Sequence, residues 1–166
     1  HFLKAHDFDP SQAEPIAALY DLARKDDDET TQLNMLRLLS RLEQHDRRVW
    51  LRLLRLLLKR GQWEEAVGVG ESAMYVDGMN PEVHYLYARA LARTGRPAPA
   101  IREMNSELLA KPPPKKQAEV YTAMAEGYRK LGKNEFAERA ERYAGQVRKL
   151  APEEDAPEEE GLRHTH

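Results

Sequence analysis

Two consecutive blocks of 34 residues, 47–80 and 81–114, carry the same pattern of residues, and this repeat constrains the fold more than any other feature of the sequence. If the first residue of each block is repeat position 1, apolar residues recur at positions 7, 11 and 20, and a glycine stands at position 15. These positions hold Leu53, Leu57, Ala66 and Gly61 in the first block and Tyr87, Leu91, Ala100 and Gly95 in the second. A fixed period of this length is typical of repeat proteins, in which each unit buries its apolar face only against its neighbours.

The pattern resembles the tetratricopeptide repeat (TPR), and Gly61-Gln-Trp-Glu-Glu-Ala66 is similar to the turn and second-helix signature of that family. The resemblance implies a helix–turn–helix unit for each repeat and, for the array, an all-α, right-handed α-solenoid. It extends to residues 118–151, where the pattern is restored by Tyr121, Met124, Ala125, Tyr128, Gly132, Ala137 and Ala144.

Residues 13–46 have helical periodicity but fit the pattern less well, and we interpret them as a degenerate TPR-like repeat. Tyr20 and Gln32 stand at positions 8 and 20, where the family has small residues. The acidic run 26–29 replaces the glycine turn, and Thr30 or Thr31 is the expected cap of the following helix. By the same register, residues 1–12 resemble the end of a truncated preceding repeat. We therefore expect the chain to be a fragment of a longer array or of a multidomain protein.

Two further segments are predicted from their prolines and charges. Pro112–Pro114 ends the third unit, and the three residues 115–117 are an insertion. We expect this proline-rich segment to act as a rigid spacer before the next repeat. Residues 152–160 are almost entirely proline, glutamate and aspartate. Such a composition cannot bury enough apolar surface to fold, so 152–166 is predicted to be an acidic disordered tail.

Composition argues against several classes of function. The 26 lysines and arginines are balanced by 28 aspartates and glutamates, giving a formal net charge of −2, so no bulk attraction to nucleic acid is expected. No apolar run approaches the roughly 18 residues that span a bilayer, so we expect no membrane insertion. The chain has no cysteine, its histidines are scattered, and no serine lies in a nucleophile elbow. We therefore expect no metal, no cofactor and no catalysis.

Two short motifs are interpreted as packing. Residues 53–57 fit a leucine-rich partner box, but these leucines occupy core positions of the repeat. Gly68 and Gly70 fit a dinucleotide-binding glycine pattern, yet they fall inside a predicted helix with no preceding strand. Gly70 stands where a large residue normally packs. Either a neighbouring side chain fills that space or this helix is locally soft.

The family resemblance also implies a binding surface, because first helices of TPR units line a groove through positions 2, 5, 9, 12 and 13. Several of these positions are basic in the second and third units and surround one tyrosine. The candidate peptide-binding residues are Arg48, Arg55, Lys59, Tyr85, Arg89 and Arg93. Arginine binds carboxylates with two parallel hydrogen bonds, so this groove is predicted to take an acidic peptide.

A competing interpretation is that the cations of the groove pair inside the protein. Asp21 and Glu126 occupy position 9 in the flanking units and are the expected partners of Arg55 and Arg89. The acidic residues 152–160 are a further internal candidate for the groove. Of the two interpretations, internal pairing is the one that the sequence favours.

Two functions are compatible with these observations. The first is a protein–protein interaction scaffold that binds a protein or peptide partner in the groove, without catalysis. The second is an accessory or docking domain of a larger enzyme, for example a bacterial one, whose catalytic part lies outside this chain.

Overall fold

The computed structural model describes residues 10–151, and within that range the chain forms eight α-helices and no strand. The chain divides into two compact units: unit 1 ends at Ala110 and unit 2 begins at Lys111. Unit 1 holds α1 (Pro10–Lys25), α2 (Glu29–Leu42), α3 (Arg47–Lys59), α4 (Trp63–Asp77), α5 (Pro81–Arg93) and α6 (Pro97–Leu109). Unit 2 holds α7 (Pro114–Lys130) and α8 (Asn134–Leu150).

The six helices of unit 1 form three helical hairpins. We call α1–α2 hairpin 1, α3–α4 hairpin 2 and α5–α6 hairpin 3. Hairpin 1 packs on hairpin 2 through α2 and α3, and hairpin 2 packs on hairpin 3 through contacts of α3 and α4 with α5. Unit 1 is therefore an all-α stack of hairpins, as the repeat predicts.

The turn that follows the first helix of every hairpin contains a residue with left-handed backbone geometry. Gly61, Gly95 and Gly132 have φ angles of 71°, 73° and 72°. In hairpin 1 the same repeat position holds Asp27, whose φ is 52°. Glycine adopts this conformation without steric cost, and aspartate is among the few other residues that tolerate it. The acidic run thus makes the turn that glycine makes elsewhere.

The cap of α2 differs from the prediction. Its N-cap is Asp28, which accepts a hydrogen bond from the backbone N–H of Thr31 at 3.1 Å. The hydroxyl of Thr31 also donates to Asp28, so this threonine supports the cap instead of forming it. These hydrogen bonds lower the pKa of the Asp28 carboxyl. The expectation that Thr30 or Thr31 caps α2 was therefore wrong.

Helix α3 lies at the centre of the core of unit 1. Leu53, Leu54 and Leu57 are at most 1% exposed, and three further apolar residues of the helix are also buried. A helix that is apolar on most sides needs neighbours on most sides, and α2, α4 and α5 provide them. The leucine-rich segment is therefore packing, as expected.

Hairpin 1 accommodates its two unusual residues by different means. Tyr20 is buried beneath the guanidinium group of Arg52, whose Cζ lies 5.6 Å from the ring centroid. Gln32 is half-buried, and its side-chain amide donates to the carbonyl oxygen of Ala23 at 3.3 Å. At the equivalent position hairpin 2 has Ala66, which is completely buried.

Gly70 of α4 faces Tyr87 of α5. A Cβ atom added to Gly70 would lie only 2.4 Å from Cδ2 of that ring. A neighbouring side chain therefore fills the space that the absent side chain leaves, which decides between the two predicted explanations. Burial raises the pKa of the Tyr87 hydroxyl.

Unit 2 is a single hairpin with longer helices than those of hairpin 3. Both α7 and α8 have 17 residues, whereas α5 and α6 have 13 each. Pro113 is the N-cap of α7 and Pro114 its first residue, a place where the missing amide of proline costs little. Residues 115–117 therefore lengthen α7. Lysine and glutamine thus continue a helix that a proline has started, and the rigid spacer between the third and fourth repeats stays a prediction.

Some predictions fall outside the described residues. These are the truncated repeat at residues 1–9 and the acidic tail at 152–166. Because α1 begins at Pro10, residues 10–12 belong to the first helix of hairpin 1. The division into units 13–46, 47–80, 81–114 and 118–151 stays a prediction.

Candidate peptide-binding groove

The predicted groove residues lie on two neighbouring helices of unit 1. Arg48, Arg55 and Lys59 are on α3, and Tyr85, Arg89 and Arg93 are on α5. Spacings of four and seven residues place side chains on one face of a helix, which here is the face opposite the buried leucines. The five cationic side chains are exposed and Tyr85 is half-buried.

Arg55 joins the two helices through an ion pair. Its Nε and Nη2 donate to Oε1 and Oε2 of Glu82, both at 2.6 Å. These hydrogen bonds raise the pKa of Arg55. Arg55 is thus paired inside the protein, but with Glu82 at the start of α5 and not with Asp21. Both side chains are about half exposed, at 51% and 40%.

Two more of the predicted cations also have carboxylate partners. Lys59 at the end of α3 forms an ion pair with Glu29 at the start of α2, and the hydrogen bond from this lysine lowers the pKa of Glu29. Arg48 donates from Nη2 to Oδ2 of Asp46 at 3.0 Å. Asp46 is also the N-cap of α3, since it accepts from the backbone N–H of Arg48 at 2.9 Å.

Arg89 and Arg93 are held by aromatic rings instead. Cζ of Arg89 lies 5.4 Å from the ring centroid of Tyr85, and its Nη1 donates to the Tyr85 hydroxyl at 3.1 Å. Cζ of Arg93 lies 5.1 Å from the ring of Trp63 at the start of α4. Among residues 10–151, neither guanidinium group has a carboxylate partner. The six predicted residues therefore form two groups: three cations paired with carboxylates, and two arginines resting on aromatic rings, one of them Tyr85.

A cleft of about 340 Å³ adjoins the Arg48 end of α3. Its lining is made by Arg47, Arg48 and Leu51 of α3, Asp77 of α4, Met79 and Asn80 of the α4–α5 turn, and Pro81 of α5. Met79 is 93% exposed. The cleft thus combines apolar side chains with charged ones, one of them the carboxylate of Asp77, next to the predicted groove residues.

The sequence did not indicate the contacts that two residues make at this surface. Glu82 stands at a groove position, but spacing within a helix does not reveal that it binds Arg55 across to α3. Trp63 lies in a second helix, two residues after the turn glycine, so a register that counts only first helices omits it. The available signal in the sequence was that Trp63 follows the turn residue Gly61 so closely.

His84, at the repeat position that holds Trp50 in hairpin 2, is packed between neighbouring elements. Its Nδ1 lies 2.6 Å from Oε2 of Glu103 in α6, and its Nε2 lies 2.8 Å from the carbonyl oxygen of Gly78. Across residues 10–151, no three side chains of histidine, aspartate or glutamate are grouped so as to hold a metal ion. In the same range, no helix has the length and apolar character needed to cross a membrane.

Comparison with known proteins identifies the fold. No protein-family model and no curated protein matches the chain. Solved structures of MamA, a TPR protein, do match it. MamA AMB-1 superposes with a TM-score of 0.75 at 19% identity, covering 89% of this chain and 80% of that one. For MamA MSR-1 the values are 0.72, 20%, 89% and 81%.

A third structure, MamA 41-end from Desulfovibrio magneticus RS-1, has a TM-score of 0.69 at 16% identity and covers 81% of this chain and 75% of that one. At these identities the likeness concerns the fold. The chain has the TPR fold, an all-α right-handed α-solenoid of helical hairpins, as the resemblance implied.

Proposed function

We propose that this chain is a protein-interaction scaffold that binds an acidic peptide along the groove between α3 and α5, without catalysis of its own. One observation carries the proposal more than any other. Arg89 and Arg93 present exposed guanidinium groups on one face of α5, with no carboxylate partner among residues 10–151.

The aromatic supports suit these arginines to carboxylate binding. A cation stacked on a ring gains about 0.5–1 kcal/mol at an exposed site, and this contact restricts the side chain while leaving most N–H donors available. A peptide carboxylate can then accept two parallel hydrogen bonds from either group. No existing ion pair of Arg89 or Arg93 has to be broken within the described part of the chain.

The Glu82 carboxylate competes with a ligand carboxylate for Arg55. Exposed ion pairs contribute about 0–1 kcal/mol, so a second carboxylate can displace Glu82 at small cost. The Glu82 carboxylate therefore occupies the place that a ligand carboxylate would take on Arg55. Replacing it by glutamine removes the competing charge and is expected to tighten peptide binding.

The cleft beside Arg48 and Leu51 adds an apolar contact to this charged surface. A side chain placed against Leu51 and Met79 would bury apolar area that is now exposed, at about 25 cal/mol per Å². The preferred ligand is accordingly an acidic segment that also carries an apolar residue.

The test is a binding measurement with a fluorescein-labelled, glutamate-rich peptide followed by anisotropy at low salt. The variant Arg89→Glu/Arg93→Glu is expected to lose about tenfold or more in affinity, since each tenfold corresponds to about 1.4 kcal/mol. Glu82→Gln is expected to bind more tightly than the wild type. Arg102→Glu, which changes an exposed arginine of α6, is the matched control and should not alter binding.

Circular dichroism of each variant verifies that the helices are retained. The proposal fails if the wild-type chain binds a lysine-rich peptide of the same length as well as the glutamate-rich one. It also fails if raising the salt concentration leaves the affinity unchanged, because charge-based binding at an exposed surface must weaken with screening.

A further inference from the structure

A second cleft in unit 1 lies apart from the groove, between the end of α2 and the outer side of α4. Its volume is about 480 Å³. Its lining includes Arg41 and His45 near the end of α2, Trp50 of α3, and Tyr75 and Val76 of α4. None of the six groove residues contributes to it. The volume is within the range of about 300–1,000 Å³ that ligand sites occupy.

The cleft has two aromatic side chains in different environments. Trp50 is half-buried, and its indole N–H donates to the carbonyl oxygen of Gln44 at 2.8 Å, which fixes the ring. Tyr75 is 87% exposed. Aromatic side chains bury about 150–250 Å² when covered, and they contribute strongly to interfaces because they lose little conformational entropy. The lining is therefore suited to a large apolar or aromatic side chain.

The cleft contains an arginine, Arg41, that lacks a carboxylate partner within residues 10–151, whereas another arginine of α2 has one. Four residues before Arg41, Arg37 is held by Glu65 through two hydrogen bonds of 2.7 Å, which raise the pKa of Arg37. The side chain of Arg41 is exposed and makes no hydrogen bond or ion pair within residues 10–151. The carboxylate in the lining, Glu71, interacts with the Tyr87 hydroxyl. Arg41 is thus available to a carboxylate from outside.

We infer that this cleft is a second peptide site, occupied by a segment of a partner protein that carries an aromatic residue next to an acidic one. The aromatic ring covers Trp50 and Tyr75, and the neighbouring carboxylate binds Arg41. His45, also exposed on the same side, offers a further polar contact. The inference does not depend on the groove between α3 and α5, because different side chains form it.

The two tryptophans of the sequence allow the two sites to be observed separately. Trp50 lines the cleft, and Trp63 lies beneath Arg93 in the groove. The variant Trp63→Phe leaves Trp50 as the only tryptophan. Its emission should shift saturably when the chain is titrated with a glycine–serine peptide that contains phenylalanine flanked by glutamate. Replacing that phenylalanine by alanine, or the glutamates by lysine, should weaken the response about tenfold or more.

Protein variants test the same contacts from the other side. Arg41→Glu and Tyr75→Ala should each weaken binding of the phenylalanine–glutamate peptide about tenfold, whereas Arg102→Glu should not. Anisotropy of the labelled peptide on chains that carry Arg89→Glu/Arg93→Glu, which removes the groove's cations, gives the same comparison without the Trp63 substitution. The inference is overturned if Trp50 emission does not respond to this peptide, or responds equally to its lysine version.

Failure here is distinguishable from failure of the proposed function. The reciprocal variant Trp50→Phe reports on the groove through Trp63, so a peptide that shifts Trp63 but never Trp50 overturns the cleft and leaves the groove standing. Two other results would also overturn the inference, because each would mean that something other than a partner protein occupies the cleft. A shift of Trp50 with protein concentration alone indicates a second copy of the chain. A shift on deleting residues 152–166 indicates that this segment covers the cleft.

Discussion

Hairpins 1 and 2 have the same helical arrangement, yet three equivalent positions that determine packing or the turn hold residues of different kinds. Position 24 is buried leucine in one and glycine in the other, position 15 is aspartate or glycine, and position 20 is glutamine or alanine. The pairs are Leu36 and Gly70, Asp27 and Gly61, and Gln32 and Ala66. The comparison shows that each position requires filled space and hydrogen-bonded polar groups. It does not require one particular residue type.

Position 24 shows this most directly. In hairpin 1 it is filled by Leu36, which is 1% exposed, and position 7 of the next hairpin holds Leu53. In hairpin 2 it is Gly70, and position 7 of the next hairpin holds Tyr87, whose ring occupies the space. Large residues in one helix thus compensate for small residues in the next, as close packing requires.

The largest expected effect comes from removing the leucine of hairpin 1 without a compensating tyrosine. Leu36→Ala should reduce the free energy of unfolding by about 2–5 kcal/mol, because it leaves a cavity in a closely packed junction. Urea denaturation followed by circular dichroism measures the change. Leu38→Ala, in the same helix but 40% exposed, is the matched control and should cost well below half as much.

A loss of less than about 1 kcal/mol for Leu36→Ala would contradict this account. It would mean that the neighbouring side chains of hairpin 2 close the cavity. The junction between hairpins 1 and 2 would then differ in sequence from the junction between hairpins 2 and 3. The stability of both would nevertheless respond in the same way to a loss of side-chain volume.

The second prediction converts the junction of hairpin 2 into that of hairpin 1. Gly70→Leu should destabilise the chain by about 1–3 kcal/mol or more, because the new side chain meets the Tyr87 ring. Tyr87→Leu should also destabilise it, by creating space beside Gly70. The double variant reproduces the leucine pair of the first junction and should recover part of the loss. Denaturation of all four proteins gives the coupling energy between the two positions.

Gly68 provides the internal control for this cycle, because a Cβ at Gly68 would meet nothing within 4 Å. Gly68→Ala should therefore stabilise α4 by up to about 1 kcal/mol through helix propensity. Strict additivity of the Gly70 and Tyr87 substitutions would be evidence that the two side chains do not share one space.

Much of the fold could be predicted from the repeat, because the residues that define it act locally. The glycine at position 15 specifies a turn residue with a positive φ angle. The spacing of apolar residues indicates which face of each helix is buried. The acidic run was recognised as a replacement for the turn, and Asp27 indeed adopts a positive φ. The repeat did not indicate that a helix started by Pro114 includes residues 115–117, which the register counts as an insertion.

The candidate sites were predicted less completely, because they depend on contacts between helices. The register assigned Arg55, Arg89 and Arg93 to the groove, and all three side chains are exposed. It could not reveal that Glu82 binds Arg55 or that Trp63 supports Arg93, since those contacts join residues about 30 positions apart. The cleft lined by Trp50 and Tyr75 was not predicted for the same reason, because three helices contribute to its lining.

The smallest expected effect comes from exchanging the turn residues of the two hairpins. Gly61→Ala forces a residue with a Cβ atom into a φ of 71°, which costs about 1–2 kcal/mol. Steric contact adds little, because the nearest atoms to that Cβ, in the Trp63 ring, lie 3.9 Å away. Gly61→Asp should cost less than Gly61→Ala, since aspartate tolerates this conformation.

The reverse exchange in hairpin 1 should have almost no effect. Asp27→Gly relieves the backbone but adds entropy to the unfolded chain, so the two contributions nearly cancel and leave a change within about 0.5 kcal/mol. Asp27→Ala loses the tolerance without gaining freedom and should destabilise hairpin 1. Equal denaturation midpoints for the alanine variants and their aspartate counterparts would show that the left-handed turn does not select its residue. If instead Asp27→Gly destabilises as much as Asp27→Ala, the aspartate carboxylate contributes a contact that the backbone angle alone does not explain.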